Sequence, residues 1–364
     1  MSTATAVPRP PELDPAEVQA VAGQLIAALN GGALSFLLSL GHRTGLFDGL
    51  AAAPGTTSVE LARRTGLTER YVREVLNGLV AGRVVELDPA RNTYALPPAY
   101  AALLTRGTPL GNVAVAAGFF SVLGSVEDRI VDCFRQGGGV PYEAYPRFHE
   151  VMAEESKQTV VDHLESDILP LLPGLLDRLR QGIDVLDVGC GRGMALERLA
   201  RSFPASRFVG LDLSDEAIAF GRDAARRAGL RNLQFEARDV TRLGLEGRFQ
   251  LITAFDAIHD QKHPGKVLSG IASALTPDGV FLMQDIGVSS APERNREHPL
   301  GAYMYTISCM HCMTVSLAQG GDGLGAAWGV ELAEAMLREA GFTEITIHRL
   351  PHDILNCYFV ARRG

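Results

Sequence analysis

Residues 185–193 read VLDVGCGRG, an apolar stretch running into glycines at 189, 191 and 193. Glycine tolerates positive φ and lets a ligand approach the backbone closely. A strand, a tight glycine turn and a following helix are therefore expected here. From 183 onward the pattern repeats, with strands predicted at 183–188, 206–212, 232–236, 249–255, 279–286, 343–349 and 354–362 and helices between most of them. The early strands are continuously apolar, as in a parallel sheet covered on both faces. The second half is thus read as α/β.

Acidic residues narrow what the turn holds. A dinucleotide site uses a similar turn for pyrophosphate, but Asp187 sits just before this one. A carboxylate there repels phosphate, so a ligand with an ammonium group and no phosphate fits better. Asp212 ends the second strand in VGLDLS, where doubly wound sheets place a ribose-binding acid. Asp239 follows the third strand in EARDV, placed to accept from an adenine amino group. Three acids and a glycine turn in this order resemble the class I S-adenosylmethionine-dependent methyltransferases. The resemblance rests on Asp187, Gly189, Gly191, Gly193, Asp212 and Asp239 and covers about the last half of the chain. It implies a Rossmann-like seven-stranded domain with S-adenosyl-L-methionine as cofactor. Asp212 would hold the ribose, Asp239 the adenine and the glycine turn the methionine part. Leu213, Val240 and Phe255 would complete the cofactor site.

After the fourth strand comes AFDAIHDQKHP, residues 254–264. A loop histidine ordinarily makes a hydrogen bond at a helix start. Plant and polyketide O-methyltransferases, which this layout resembles, carry an Ile/Leu-His-Asp triplet here whose His is the general base. Ile258-His259-Asp260 matches it, but Gln261 stands where a Trp usually follows. An imidazole titrates near neutrality and suits the removal of a phenolic or alcoholic proton. Asp285, ending the fifth strand, is placed to orient His259, or else to cap a loop.

The first half is mainly helical. Residues 15–40 are apolar at helical spacing, with a break expected near Gly31–Gly32. Thr57 or Ser58 caps a short helix (59–65) closed by Gly66, and Thr68 caps a second (69–81) ending at Gly82. RVVELDPARNTYAL then alternates around a turn as a hairpin does, so the segment reads as a winged helix. Its second helix sets Arg70 and Arg73 against Glu69 and Glu74, and no Lys occurs before Lys157. A DNA-reading helix needs uncompensated basic residues. Homodimerisation and pocket closure are favoured over nucleic-acid binding.

Residues 287–329 form an insert before the last helix, containing YMYTISCMHCMTVSLAQGGDGLGAAWG. A helix over about 300–318 lining a substrate pocket is expected, followed by a flexible glycine loop serving as a lid. His311 competes with His259 as base or substrate contact. Cys309, His311 and Cys312 invite a metal reading, but zinc needs a fourth donor and no paired Cys motif is present, so no metal is expected. The segment His311–Gly329 resembles a group of bacterial winged-helix methyltransferases, some labelled transcriptional regulators. PYEAYPRFHEVM is dense in aromatics. Tyr142, Tyr145, Phe148, His149 and Met152, with Tyr303 and Trp328, are substrate-pocket candidates, unless the aromatics simply pack a connector.

The expected organisation is a disordered lead-in (1–14), a winged-helix dimerisation domain (15–110), a helical connector (111–182) and a catalytic domain (183–364). The net charge of −8 gives no general attraction to nucleic acid or anionic membranes. The longest apolar run noted, 110–126, is short for a membrane span. Five cysteines, an odd number, read as free thiols of a reducing, cytoplasmic compartment. The chain is read as a methyltransferase acting on a small aromatic or hydroxylated molecule. Oxygen is favoured, with nitrogen, sulfur or carbon acceptors open. A cofactor-sensing DNA regulator and a non-catalytic cofactor binder are the rivals.

Overall fold

The structure is a computed structural model that describes residues 13–108 and 110–364. The chain forms two compact units that divide between Thr108 and Pro109. The expected lead-in lies outside the described residues except for Leu13 and Asp14.

In the first unit a single helix runs from Pro15 to Arg43, capped by Asp14 accepting from the Ala16 N–H at 2.9 Å. The break predicted at Gly31–Gly32 does not occur. A helical glycine costs only about 1 kcal/mol relative to alanine, which the flanking alanines and leucines absorb. Near its C-terminal end Leu34 and Leu37 lie against Gly82 and Gly78 of helix Glu69–Ala81. Most of the rest is exposed, including Val18, Leu25, Ile26 and Leu29. This is the one helix among the described residues with the length and hydropathy of a membrane span, at a mean hydropathy of 1.6. The 110–126 run instead folds into short helices, Val113–Ala116 and Gly118–Gly124.

Helix Ser58–Thr65 opens with a capping box in which Thr57 and Glu60 satisfy each other's backbone N–H groups, and Gly66 closes it at φ +71°. Thr68 precedes the second helix but makes no side-chain cap. Glu69 in the first turn instead accepts from the Ser58 hydroxyl at 2.7 Å. Strands β1 (Glu86–Asp88) and β2 (Thr93–Ala95) form the antiparallel wing. Arg70 and Arg73 pair with Glu74 and Glu69 on their own helix.

The second unit is built on a seven-stranded sheet of β3 (Asp184–Val188), β4 (Arg207–Asp212), β5 (Leu233–Ala237), β6 (Phe249–Phe255), β7 (Leu275–Ile286), β8 (Phe342–His348) and β9 (Asn356–Arg363). The order is β5-β4-β3-β6-β7-β9-β8, with only β9 antiparallel to its neighbours. Successive side chains point to opposite faces. Leu186, Ile252 and Phe281 pack on helices Pro264–Ala274 and Val330–Glu339. Val185, Leu251 and Leu282 pack on the other side with Leu196 and Ile218. Chain order reverses between β3 and β6, and the crevice beyond the ends of such strands is where doubly wound sheets bind ligands.

The insert forms a helical run of Gly301–Ile307, a π turn at Ser308–Cys312, and Met313–Ala318. The glycine loop expected as a lid is packed in place. A Cβ on Gly329 would lie 2.1 Å from the Ser290 nitrogen, and one on Gly321 2.4 Å from the Lys262 carbonyl oxygen. Glycine serves close approach here rather than mobility.

Candidate active site

A cavity of about 810 Å³ opens at the β3–β6 crevice. One end is the glycine turn, with φ of +72°, +52° and +74° at Gly189, Gly191 and Gly193. Any Cβ at Gly193 would meet the Phe235 ring at 2.2 Å, and one at Gly189 would meet Ala257 at 2.5 Å. The Asp212 carboxylate accepts from the Gly191 and Ser214 N–H groups, each at 2.8 Å, which locks the turn to the end of β4. Asp187 is buried and accepts from the Thr253 hydroxyl at 2.6 Å. Burial, helped by the charge of Asp212, pushes its carboxyl up to about 7.

Asp187, Asp212, Leu213, Val240 and Phe255 all line the cavity. Arg192, on the same wall, is tied to Glu216 at 2.7 Å. Two carboxylates with no free cation between them among the described residues suit a ligand bearing an ammonium and hydroxyls, and disfavour phosphate. S-adenosylmethionine meets that requirement. Asp239 departs from the expectation. It does not line the cavity; its carboxylate caps the turn Val240–Arg242 by accepting from the Thr241 N–H and hydroxyl.

His259 lies on the cavity wall just past β6, 2% exposed. Its Nδ1 is 2.9 Å from Asp285 Oδ1 on β7. That oxygen also accepts from Trp328 Nε1 at 2.9 Å and the Ile286 N–H at 2.8 Å. Asp285 is fully buried and off the cavity wall. Trp328, expected as a substrate contact, is likewise off the wall, because its indole N–H is turned toward Asp285. Cys312 is buried and lines the cavity. Burial alone would lower the His259 pKa, but Asp285 and Cys312 outweigh it and hold it well above the ordinary value. With Nδ1 committed to Asp285, Nε2 is the nitrogen left to take a proton. Gln261, in place of the Trp, donates to the Ala257 carbonyl at 2.7 Å.

Tyr142, Tyr145, Phe148, His149, Met152 and Tyr303 also line the cavity. The Tyr142 hydroxyl donates to Asp260, and Tyr145 donates to the Met310 carbonyl at 2.6 Å. The π turn carries His311, which stacks on Phe148 with ring centroids 3.8 Å apart. Tyr142 and Tyr145 meet it edge-on. His311 is 1% exposed, and neither ring nitrogen has a partner among the described residues. Burial, with the charges of His259 and His149, holds its pKa well below the ordinary value, so the ring is neutral. Cys309, His311 and Cys312 do not converge as ligands. Among the described residues the converging sets are Asp256–His259–Asp285 and His163–Asp167–His352.

Sequence reasoning missed Glu155, Asp256, Cys312 and Asn356 as cavity residues. Asp256 stands in the same short stretch as His259, and its position after an apolar strand was a usable signal. Glu155 and Asn356 carry none, since a helix glutamate and a strand asparagine ordinarily face solvent.

Residues 32–106 match the Rv2258c-like winged HTH domain and residues 179–343 match the methyltransferase domain. The chain is 27% identical over 153 residues to the malonyl-[acyl-carrier protein] O-methyltransferase of Bacillus cereus, covering 42% of this chain and 50% of that one. It is 33% identical over 105 residues to the fatty-acid O-methyltransferase of Mycolicibacterium smegmatis, covering 29% and 38%. The chain thus spans half or less of these curated relatives' length. Human N-acetylserotonin methyltransferase, solved with its cofactor, is similar in structure with a TM-score of 0.68 at 17% identity, covering 94% of this chain and 98% of that one. The chain therefore joins a winged HTH domain of the Rv2258c-like kind to a methyltransferase domain, and its fold is that of the class I, S-adenosylmethionine-dependent methyltransferases.

Proposed function

We propose that this chain is a methyltransferase that moves the methyl group of S-adenosylmethionine to a hydroxyl of a small aromatic or hydroxylated molecule, with His259 as general base. The observation that carries this reading is His259, held by buried Asp285 and lining the same cavity as the glycine turn and Asp212. When bound, the cofactor supplies an electrophilic methyl on its sulfonium. The acceptor hydroxyl must lose a proton as its oxygen attacks. Neutral His259 takes that proton at Nε2, and Asp285 fixes the ring and stabilises the resulting imidazolium. The Gly189–Gly193 turn and Asp212 hold the cofactor, while the Tyr142–Phe148 wall excludes water and orients an aromatic acceptor. Oxygen is favoured over nitrogen, sulfur or carbon because a hydroxyl needs a base, and because the relatives above are named for O-methylation.

The partner is a second copy of the chain. The exposed apolar length of helix Pro15–Arg43 supports a homodimer through the N-terminal domain, with residues 111–182 serving the pocket and 183–364 the chemistry. Nucleic acid is disfavoured because Arg70 and Arg73 are tied to acids on their own helix. Five free thiols fit a reducing cytoplasm.

Mass-spectrometric detection of methyl transfer to a phenol and amine panel tests this reading. Wild-type protein is expected to methylate hydroxyl acceptors, and His259→Ala to lose about 10²–10⁴-fold in rate. Turnover by His259→Ala at the wild-type rate would remove His259 as the base. Salt-dependent duplex binding without methyl transfer would favour the regulator.

A further inference from the structure

Three polar residues of the cavity wall are left unassigned by this chemistry. Glu155 reaches the wall from helix Phe148–Ser156, Asp256 from the residue after β6, and Asn356 from the start of β9. The carboxylates of Glu155 and Asp256 and that of the buried Asp353 feel one another's charge.

Several donors near these residues are already committed. Asn356 Nδ2 donates to Asp353 at 3.0 and 3.1 Å, as does Gln284 Nε2 at 2.9 Å. The Tyr303 hydroxyl donates to the Ala116 carbonyl at 3.0 Å, and Gln158 Nε2 to Glu155 at 2.9 Å. Because the Asn356 amide nitrogen must face the Asp353 carboxylate, the orientation of Oδ1 is fixed. That oxygen has no partner among the described residues, although Asn356 is only 6% exposed. Asp256 Oδ1 has none either, and the residue is held at φ +53°, an uncommon conformation for a non-glycine.

Among the described residues, cationic side chains do not answer these acceptors. Arg147 and Arg192, on the cavity wall, pair with Glu150 and Glu216. His259 Nδ1 stands 3.9 Å from Asp256 Oδ1 but is committed to Asp285. Burial pushes the Glu155 carboxyl up to about 7 and that of Asp256 to about 6, a penalty that a ligand cation relieves.

We propose that the Glu155–Asp256–Asn356 group on the cavity wall binds a protonated amine on the methyl acceptor, so that the substrate class is a phenol or alcohol carrying an alkylammonium group. Two oxygens without donors, on Asp256 and Asn356, and the lone pairs that Glu155 keeps beside its one bond from Gln158, match the N–H donors of an ammonium. A protonated amine has no lone pair, so this group is an anchor and the hydroxyl remains the methyl acceptor. The inference rests on the methyl-transfer reading of the site.

Calorimetry on the full chain loaded with S-adenosylhomocysteine tests it, with tyramine, para-ethylphenol and para-hydroxyphenylpropionate as matched probes. Tyramine is expected to bind at least tenfold more tightly than either. Glu155→Gln with Asp256→Asn is expected to erase that preference while affinity for S-adenosylhomocysteine stays within about twofold, which is about 0.4 kcal/mol. Equal binding of the three probes, or no binding of tyramine, overturns the proposal. So does displacement of tyramine by Mg²⁺ or Zn²⁺, which would make the acidic group a metal site. The wild-type probe series decides the matter even where a variant fails to fold. Failure of S-adenosylhomocysteine to bind overturns the underlying reading as well, whereas its binding without a charge preference overturns this inference alone.

Discussion

His259 Nδ1, in the loop after β6, and Asp285 Oδ1, near the end of the adjacent parallel strand β7, lie 2.9 Å apart with both residues almost wholly buried. An ionised carboxylate only accepts, so Nδ1 carries the proton and Nε2 is the basic nitrogen. The pair raises the His259 pKa well above the ordinary value. Catalysis by the neutral ring is therefore lost as pH falls through that raised value and gained as pH rises through it. The kcat/KM profile of the wild type is expected to show an ascending limb above pH about 6.5. Asp285→Asn should move that limb toward acid and lower kcat by about 10²-fold or more. An unmoved limb in the variant would separate Asp285 from the base.

Asp212 accepts two backbone N–H groups and still faces the cavity. Asp212→Ala should weaken S-adenosylhomocysteine binding by roughly tenfold or more, since a hydrogen bond to a charged group is worth about 1.5–3 kcal/mol. Unchanged affinity by calorimetry would displace the ribose from this acid.

His311 is a neutral imidazole buried with two nitrogens unpartnered among the described residues. Leaving such groups unsatisfied costs on the order of 1–3 kcal/mol. His311→Phe keeps a ring against Phe148 and should hold or raise the unfolding midpoint while weakening acceptor binding, read as a raised KM. A lowered midpoint with KM unchanged would make His311 a packing residue.

Two glycines give opposite expectations. Gly31 lies in an exposed helix with nothing within 4 Å of an added Cβ, so Gly31→Ala should gain about 0.5–1 kcal/mol. Gly329 has φ +85° and a Cβ there would meet the Ser290 nitrogen at 2.1 Å, so Gly329→Ala should lose about 2–4 kcal/mol. Denaturant unfolding of both variants checks the pair.

The sequence by itself determined the sheet, because continuous apolar runs and glycine turns are local signals. Observed strands β3 to β9 start and end within a few residues of the expected ones. It also marked Asp187, Gly189, Gly191, Gly193 and Asp212, which line one cavity at the ends of β3 and β4, since their order along the chain is their order across the strand ends. Tertiary structure decided the rest. Trp328 reads as a pocket aromatic, yet its N–H faces Asp285, because a buried indole nitrogen requires a partner. Asp239 reads as an adenine acceptor, yet it caps its own turn. Glu155, Asp256 and Asn356 lie 100 or so residues apart in part and share no motif, and only strand pairing of β6, β7 and β9 brings the last two to one wall. Periodicity records which face of an element is buried. Which donors are already committed, and which acceptors are left facing a cavity, depends on neighbours distant in sequence.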